Sequence, residues 1–316
     1  METENREVVV TVLDPSTLYT LVSEPPDLDR PVLVQALEGF VDAGGAGRLA
    51  REHLLSTLEH EVVATFDVDQ LHDYRARRPV MLFDEDHWES YDGPVLVVHA
   101  VRDEAGSRFL MLTGPEPDVQ WERFVAAVQQ IVERFDVRLT LGADAIPMAV
   151  PHTRPTGLTA HGTRRELVDG FDPWVHKVQV PASAGHLLEY RLGQAGRDAA
   201  GFAVHVPHYV AQMDYPAAAV ELLDALARAG ELSLPTAALA TAAERTRADI
   251  DEQVSQSEEV QQVVQTLEQQ YDAYVSARER GDVLATRSED LPSGDELGAE
   301  LERFLAEQTR GDKPDS

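Results

Sequence analysis

The stretch that most restricts the fold of this 316-residue chain is VRLTLGADAIPMAVPHTRP, residues 137–155. Its first part, Val137–Leu141, is a short apolar run of the kind that forms a strand buried inside a sheet. The Gly- and Pro-containing segment that follows predicts a long loop carrying Asp144, His152 and Arg154. In α/β proteins, ligands usually bind where such loops leave the carboxyl ends of the strands. We therefore expect a central strand here, with polar groups at its carboxyl edge.

Other apolar runs predict a mostly parallel sheet around this strand. Pro31–Leu37 is continuously apolar, and a Gly-rich turn and a helix separate it from a second β-like run, Glu61–Val68. This order is typical of a βαβ unit. Pro94–Val101 and Arg108–Leu112 are joined by a short turn, which predicts a β-hairpin on an otherwise parallel sheet. The chain is therefore expected to belong to the α/β class.

The remaining predicted elements alternate between strands, helices and loops. We expect strands at Val8–Leu13, Val80–Phe83 and Phe202–Val210, and a short strand within Phe171–Pro181. Helices are expected at Trp121–Phe135 (capped by Asp118), Gly185–Gly196 and Pro216–Gly230. Loops are expected at Leu71–Arg78, Asp84–Gly93, Thr113–Asp118 and Pro151–Gly170. The helix at Pro216–Gly230 has the clearest limits, because proline favours the first helical turn and glycine the end of a helix.

The composition changes after Pro235. Thr236–Arg280 has no strand signal, and its apolar residues keep a helical spacing, which predicts one long amphipathic helix. Asp295–Gln308 predicts a second, shorter helix. We therefore divide the chain into an α/β core domain (1–234), a helical extension (235–310) and a disordered tail (311–316). An apolar stripe has to be buried, so the extension should cover the core or another subunit.

The composition also excludes several classes of function. The formal net charge of −29 and the isoelectric point near 4.6 leave no basic surface for general nucleic-acid binding. The absence of cysteine excludes disulfides, thiolate catalysis and zinc sites with cysteine ligands. No run of about 18 apolar residues is present, and METENREVVV lacks the apolar core of a signal peptide. We expect a cytoplasmic protein that binds neither nucleic acid nor membranes.

Two features near the first turn have more than one interpretation. Gly45, Gly47 and Ala50 fit the G-x-G-x-x-A form of a dinucleotide fingerprint, with Asp67 where a ribose-binding acid would lie. We favour a close-packing turn instead, because the motif begins too far from the end of its strand. Asp42 could act as a general base or a cation ligand, but aspartate is also a preferred N-cap residue, and we favour the cap.

Histidines supply the other candidate chemistry. His205, His208 and Asp214 could hold a metal ion, but residues three apart on a strand point to opposite faces, so we do not favour this site. His152 and Arg154 could bind an anion, since arginine can donate two hydrogen bonds to a carboxylate or phosphate. Alternatively, Arg154 ties its own loop to acidic neighbours. No nucleophile elbow, P-loop, EF-hand or H-E-x-x-H motif is present.

Polar loops that follow successive strand ends define the predicted ligand-binding site. Because the carboxyl ends of parallel strands meet at one edge of a sheet, their side chains could converge there. The sequence predicts no catalytic residue, no metal ion and no cofactor. The residues of the predicted ligand-binding site are Asp42, Thr113, Glu116, Asp144, His152 and Arg154.

Four stretches together resemble a known family. In order and spacing they are similar to the proteasome assembly chaperone 2 family, and more narrowly to its actinobacterial members with a C-terminal helical extension. The resemblance covers about residues 8–229 and includes the helical extension. The four stretches are QALEGFVDAGGAG (Gln35–Gly47), TGPEPDVQW (Thr113–Trp121), GADAIPMAVPHTRP (Gly142–Pro155) and FAVHVPHYVAQMDYPAAAVELLDAL (Phe202–Leu226).

The resemblance implies a three-layer α/β/α core with a mostly parallel sheet, similar to nucleoside phosphorylases and peptidyl hydrolases. It also implies a homo-oligomer, for which a trimer is one option. Eukaryotic relatives are chaperones that help to assemble the α-ring of the proteasome, and they are associated with a C-terminal hydrophobic-Tyr-any tail. This chain ends Lys313-Pro314-Asp315-Ser316, so its sequence does not predict docking by that tail.

The leading hypothesis is a non-catalytic, chaperone-like protein-interaction protein, with proteasome subunits as candidate partners. The competing hypothesis is a small-molecule-binding protein or an enzyme of the nucleoside phosphorylase/hydrolase type that uses the strand-edge loops. Kinship of fold alone does not establish activity. A third hypothesis, an acidic scaffold protein, rests on the net charge alone.

Overall fold

A mixed sheet of eight strands forms the centre of the protein. The computed structural model describes residues 13–22, 25–39, 41–171 and 177–279. In chain order, the strands within these ranges are β1 (Tyr19–Leu21), β2 (Val32–Glu38), β3 (His60–Phe66), β4 (Val80–Asp84), β5 (His87–Asp92), β6 (Val97–Arg102), β7 (Arg108–Pro115), β8 (Leu139–Met148), β9 (Leu158–Gly162) and β10 (Ala199–Pro207). The order across the sheet is β1-β3-β6-β7-β2-β8-β10-β9, and β4 pairs with β5 in a separate hairpin.

Parallel strands form the middle of this sheet. β7, β2, β8 and β10 are neighbours and run in the same direction, whereas the other pairings of the sheet are antiparallel. β2 is buried over most of its length, in keeping with its continuous apolar run. The predicted α/β class with a parallel sheet at its centre is therefore confirmed, with antiparallel strands on both flanks.

Helices cover both faces of the sheet. They are α1 (Ala46–Thr57), α2 (Trp121–Arg134), α3 (Ala184–Gln194), α4 (Pro216–Gly230), α5 (Ala237–Ser255) and α6 (Glu258–Glu279). Leu33 of β2 lies in one apolar cluster with residues of α2 and α3. Its neighbours Val32 and Val34 point to the opposite face, where α1, α4 and α5 contribute to a second cluster. This arrangement confirms the predicted three-layer α/β/α core.

The described residues divide into two compact units. The first contains the sheet and α1 to α5, and the second contains residues 177–181 and α6. Although the sequence places α5 in an extension after residue 234, this helix groups with the core, where its Leu239 and Ile250 are buried beside α4. No helix in the described ranges is long and apolar enough to cross a membrane.

The long helix predicted over residues 236–280 is in fact two helices. α5 ends at Ser255 and α6 begins at Glu258. The hydroxyl of Ser255 donates to the carbonyl oxygen of Glu252 at 2.7 Å. Serine side chains that bond to nearby backbone in this way favour the ends of helices over their interiors. The Ser-Gln-Ser sequence therefore explains a break that apolar periodicity alone did not reveal.

β8 is longer than the sequence predicts. The expected loop after Leu141 is extended as far as Met148, because β10 pairs with β8 in parallel along its whole length. Pro147 is tolerated because β2 pairs with β8 only as far as Gly142 and the single bridge beyond it, from Asp42 to Ala145, ends before Pro147. Asp144 consequently lies within a strand and not in a loop.

Two predicted loops contain strands. β5 occupies most of Asp84–Gly93, and its Trp88 packs against Phe83 of β4 with 5.0 Å between the ring centroids. Aromatic side chains at these positions stabilise a hairpin despite the acidic residues between them. β9 lies within Pro151–Gly170 and pairs antiparallel with β10. It was missed because a short, half-polar edge strand resembles a loop in sequence.

Two local predictions near the first helices were wrong. Asp118 does not cap α2. Gln120, with φ +59°, precedes that helix, and Asp118 instead accepts the amide of Asp73 at 2.7 Å. The β2-α1-β3 segment is not a unit of adjacent parallel strands either, because β6 and β7 lie between β2 and β3. Strands that are consecutive in the sequence are therefore not neighbours in this part of the sheet.

Some predicted elements lie outside the described residues. These include nearly all of the strand at Val8–Leu13, the helix at Asp295–Gln308 and the tail at 311–316. Of the strand predicted at Phe171–Pro181, the described part is not in a strand. By contrast, the helix predicted at Pro216–Gly230 has the limits that its proline and glycine indicated.

Gly114 in β7 generates a testable prediction. Its φ is +125°, and an added Cβ would collide with the carbonyl oxygen of Val95 and lie 2.8 Å from the Cα of Leu96. These are backbone atoms, which cannot rotate away. We expect Gly114→Ala to reduce the free energy of unfolding by about 3 kcal/mol or more.

Gly106 provides the matched control. Its φ is +89°, but no atom lies within 4 Å of the added Cβ. Gly106→Ala should therefore show the cost of the backbone conformation alone, about 1–2 kcal/mol. Urea unfolding of both variants measures the difference. An equal decrease in the free energy of unfolding of the two variants would show that the close approach at Gly114 does not affect stability.

Candidate functional site

Asp42 lies four residues before α1, whose N-cap residue is Gly45, and its side chain caps the first turn of the helix. Its carboxylate accepts the backbone amides of Gly47 at 2.8 Å and Arg48 at 3.0 Å. These are first-turn amides that a dinucleotide fingerprint would offer to a phosphate. The aspartate thus occupies the anion position itself. The arrangement fits the N-cap and the close-packing turn that we favoured from the sequence.

Thr113 lies inside the sheet and not in a strand-edge loop. The residue is 5% exposed, and its hydroxyl oxygen is 3.2 Å from Nε2 of His99 on β6. Burial, with a smaller contribution from nearby His60, lowers the pKa of His99 to about 4. The imidazole is therefore neutral at physiological pH. Thr113 contributes to this buried pair and is enclosed away from the sheet edge.

His152 connects the loop after β8 to α5. Its imidazole is buried, with Nδ1 2.6 Å from the hydroxyl of Tyr209 and Nε2 3.0 Å from the carboxylate of Asp251. The same hydroxyl accepts the backbone amide of His152 at 2.8 Å. Neighbouring Arg154 is half-buried and donates to Thr153 Oγ1 at 3.4 Å. These contacts favour a structural role for His152, and its anion-binding role with Arg154 stays a prediction.

The second group of histidines does not converge. Nε2 of His205 lies 2.9 Å from the hydroxyl of Thr159. His208 packs edge-on against Tyr209, with 5.4 Å between the ring centroids, and Asp214 pairs with Arg48. Each of the three residues thus has a different neighbour.

Asp144 belongs to a group of polar side chains between the sheet and α3, which we call the α3 cluster. Its members are Asp144 of β8, His161 of β9, and His186 and Glu189 of α3. Nε2 of His186 lies 3.5 Å from Oδ2 of Asp144, and Nδ1 of His161 lies 2.9 Å from the Glu189 carboxylate. The contact with Asp144 raises the pKa of His186, while burial acts in the opposite direction.

Glu116 approaches His186 from the end of β7. Its Oε1 accepts the backbone amide of Ala184 at 2.5 Å, in the first turn of α3. Burial raises the pKa of Glu116, and the Ala184 amide, Arg77 and His186 oppose that rise. Of the six predicted ligand-binding residues, Asp144 and Glu116 therefore both face His186. The other four lie elsewhere, in the separate environments described above.

Three members of the α3 cluster were not identified from the sequence: His161, His186 and Glu189. A signal was nevertheless present in β8, where Thr140, Gly142 and Asp144 are polar or small at every second position among apolar neighbours. In a strand, this alternation places the polar residues on one face. Reading the segment as a loop after Leu141 concealed it.

The β4–β5 hairpin is the other conspicuous surface. Every residue of both strands is exposed. Its base borders an open groove of about 290 Å³, which includes Asp67, Tyr74, Tyr91 and Val95. Exposed apolar groups in such numbers are typical of a surface that contacts another molecule. The large exposed apolar side chains of the hairpin are Val80, Met81, Leu82, Phe83, Trp88 and Tyr91.

The buried pair of His99 and Thr113 predicts a specific pH dependence. In the unfolded chain His99 takes up a proton near pH 6.5, whereas in the folded protein it does so only near pH 4. The stability contributed by neutral His99 is therefore complete above pH 6.5. It decreases as the pH falls and levels off below pH 4, because both states are then protonated.

We expect this effect to lower the free energy of unfolding by about 2 kcal/mol, somewhat less than the full shift allows because solvent screens part of the ring. Urea unfolding between pH 7 and pH 4 measures it. His99→Gln keeps a hydrogen-bonding side chain beside Thr113 but cannot titrate. The variant should lack this part of the pH dependence. If the free energy of unfolding depends on pH in the same way in the wild type and the variant, His99 is not the source of this effect.

Comparison with solved structures finds two similar actinobacterial proteins whose function is unknown. The crystal structure of Rv2714 from Mycobacterium tuberculosis is 50% identical, with a TM-score of 0.81, over 87% of this chain and 95% of that one. A protein from Corynebacterium glutamicum is 41% identical, with a TM-score of 0.79, over 82% of this chain and 98% of that one. Both similarities therefore extend over nearly the whole of each relative.

A further match is Rv2125 of Mycobacterium tuberculosis, described as a proteasome-assembly chaperone homologue. It is 24% identical, with a TM-score of 0.68, over 74% of this chain and 99% of that one, and so shows a shared fold. No curated protein matches the sequence. The model of the PAC2 family matches residues 36–254, which run from β2 to α5 and make up well over half of the chain. The chain therefore belongs to the PAC2 family.

Proposed function

We propose that this chain is a non-catalytic protein-interaction protein that self-associates and assists protein assembly, with proteasome subunits as its candidate clients. The observation that carries the proposal is the exposed apolar surface of the β4–β5 hairpin. Water solvates such a surface poorly, and covering it with another protein is favourable. Membership of the PAC2 family and the shared fold with Rv2125 support an assembly role.

The hairpin depends on a partner for its stability. Among the described strands, β4 pairs only with β5, so both strands have an open edge. A single two-stranded hairpin is at best marginally stable in water, and open edges readily pair with another strand. Trp88 is 62% exposed and Phe83 is 54% exposed, so their mutual contact leaves most of both rings in water. Another polypeptide can satisfy both the edges and the rings.

The occupant that we assign to this surface is a second copy of the chain. A net charge of −29 repels copies over most of their surfaces, so contact should form where apolar groups are concentrated. The hairpin turn is acidic, at Asp84, Glu85 and Asp86, whereas Arg75 and Arg78 are exposed just before β4. A two-fold contact could pair the acidic turn of one copy with the arginines of the other.

The competing hypothesis of a small-molecule site at the strand edges receives less support. Asp42 is committed to the amides of α1, and Thr113 is paired with His99. His152 is held between Tyr209 and Asp251. A ligand at these residues would first have to replace contacts that are already made, and leaving buried polar groups without partners is costly. A binding role for these side chains remains a prediction.

Replacing Phe83 and Trp88 together by serine should reduce the size of the oligomer. The substitutions remove the largest exposed rings of the hairpin, so the subunits should lose apolar contact. The variant should therefore dissociate at higher protein concentrations than the wild type does. Native mass spectrometry and sedimentation velocity at micromolar concentration measure the change. The matched control is Tyr190→Ser, because Tyr190 of α3 is 60% exposed and its loss should leave the mass unchanged.

Two results would contradict the self-association part of the proposal. One is a wild-type chain that is monomeric at micromolar concentration. The other is a double variant that keeps the wild-type mass. The client is tested separately, by native mass spectrometry of protein gently purified from its own host. Proteasome subunits retained in a fixed ratio would support the assembly role, whereas one small molecule retained per chain would favour the competing hypothesis.

A further inference from the structure

We propose that the α3 cluster binds one divalent transition-metal ion, preferably Zn²⁺, through Asp144, His161 and His186. Within the described part of the chain, these side chains form a group of potential metal ligands whose ligand atoms all lie within 4.8 Å of one another. Two imidazoles and one carboxylate are a donor set that Zn²⁺ and Fe²⁺ use in proteins. The site is independent of the protein-interaction role proposed above.

The separations between the donor atoms suit a single ion. Zinc lies about 2.0–2.1 Å from nitrogen and oxygen ligands, so two ligand atoms of a tetrahedral site are about 3.3 Å apart. Nε2 of His186 and Oδ2 of Asp144 are separated by 3.5 Å, which places them close to that distance. The third donor, from His161, lies within 4.8 Å of the other two, so its side chain has to move toward them to complete the set.

Glu189 holds His161 in the orientation that a ligand requires. The His161 Nδ1 lies 2.9 Å from its carboxylate. When Nδ1 carries the proton and donates a hydrogen bond to the Glu189 carboxylate, Nε2 has a free electron pair to bind an ion. A carboxylate behind a metal-binding histidine fixes both the tautomer and the direction of the ring, and it is a regular feature of zinc sites. Glu189 is thus assigned a positioning role.

Asp144 supplies the second observation that points to a cation. Its Oδ2 is enclosed by protein and accepts no hydrogen bond from the described residues. The contact with His186 at 3.5 Å is too long to compensate fully. A buried carboxylate oxygen without a donor is unfavourable and rare in folded proteins. A metal ion between Asp144 and the two histidines would provide the positive partner that this oxygen lacks.

Space of about the size of one ion lies beside two of the three ligands, Asp144 and His186. A cavity of about 10 Å³, the size of one water molecule, is lined by Asp144, His186 and Gln35. Glycines keep this region open. A Cβ at Gly201 would lie 2.7 Å from Nε2 of His161, and one at Gly185 would lie 2.6 Å from Nε2 of Gln35. Larger residues at these positions would displace the side chains that form the site.

The simpler interpretation is that the α3 cluster contains two ion pairs, His186 with Asp144 and His161 with Glu189. The test is titration of the full-length, chelator-treated protein with ZnCl₂ by calorimetry, together with Co²⁺ absorption as a report on coordination. We expect one ion per chain. Asp144→Asn and His161→Asn should each weaken binding at least about 100-fold, and Glu189→Gln about 10- to 100-fold.

His87→Asn is the matched control, because Nδ1 of His87 also lies 3.1 Å from an aspartate, Asp86, but on the exposed hairpin. This variant should bind Zn²⁺ as the wild type does. If Asp144→Asn fails to fold, His161→Asn still tests the site, since its side chain is 38% exposed. The proposal is overturned if saturable binding of one ion per chain is absent, or if binding survives the cluster substitutions unchanged and therefore reflects only the acidic surface.

Discussion

The parallel pairing of β8 between β2 and β10 is the constraint on which much of this structure depends. β10 pairs with β8 from Ala199 to Pro207, and this pairing keeps β8 extended as far as Met148. β2 pairs with β8 only as far as Gly142, and beyond that residue a single bridge between Asp42 and Ala145 lies on the same side of β8. Asp144 is therefore held beneath α3. The same geometry places the turn into α1 beside the end of β8.

The polar groups of the chain serve different purposes according to where this sheet places them. Asp42 stabilises a helix end, and His152 joins a loop to α5. In both side chains, each polar atom has a hydrogen-bonding partner within the protein. The α3 cluster differs, because one oxygen of Asp144 has no donor among the described residues. A buried carboxylate oxygen that accepts no hydrogen bond suggests that the site binds a further group, such as a cation.

The elements that could be predicted from the sequence are those whose signals are local. α4 begins at a proline and ends at a glycine, and β2 is a continuous apolar run. The strands that were missed depend on distant partners. β9 is extended because β10 lies beside it, and β5 because β4 folds back on it. Single-residue patterns cannot show such pairing in advance.

The candidate site was predicted only in part, for a related reason. Asp144 and Glu116 were named because they lie near strand ends, and both do face His186. His161 comes from β9, which β10 separates from β8, and His186 comes from α3, which packs on one face of the sheet. Sequence spacing indicates neither position. The exposed hairpin was concealed by its acidic residues, which made β5 resemble a loop. Its importance became visible only when the exposure of Phe83 and Trp88 was known.

The central claim is that this PAC2 family protein acts through contact with other polypeptides at the β4–β5 hairpin. Hydrogen–deuterium exchange of residues 80–92, measured over a range of protein concentrations, tests it most directly. The amides of β4 and β5 should exchange slowly in the concentrated, assembled protein and quickly after dilution, because a partner covers their open edges. Fast exchange of both strands at every concentration, in a protein that is still oligomeric, would show that another surface forms the contact.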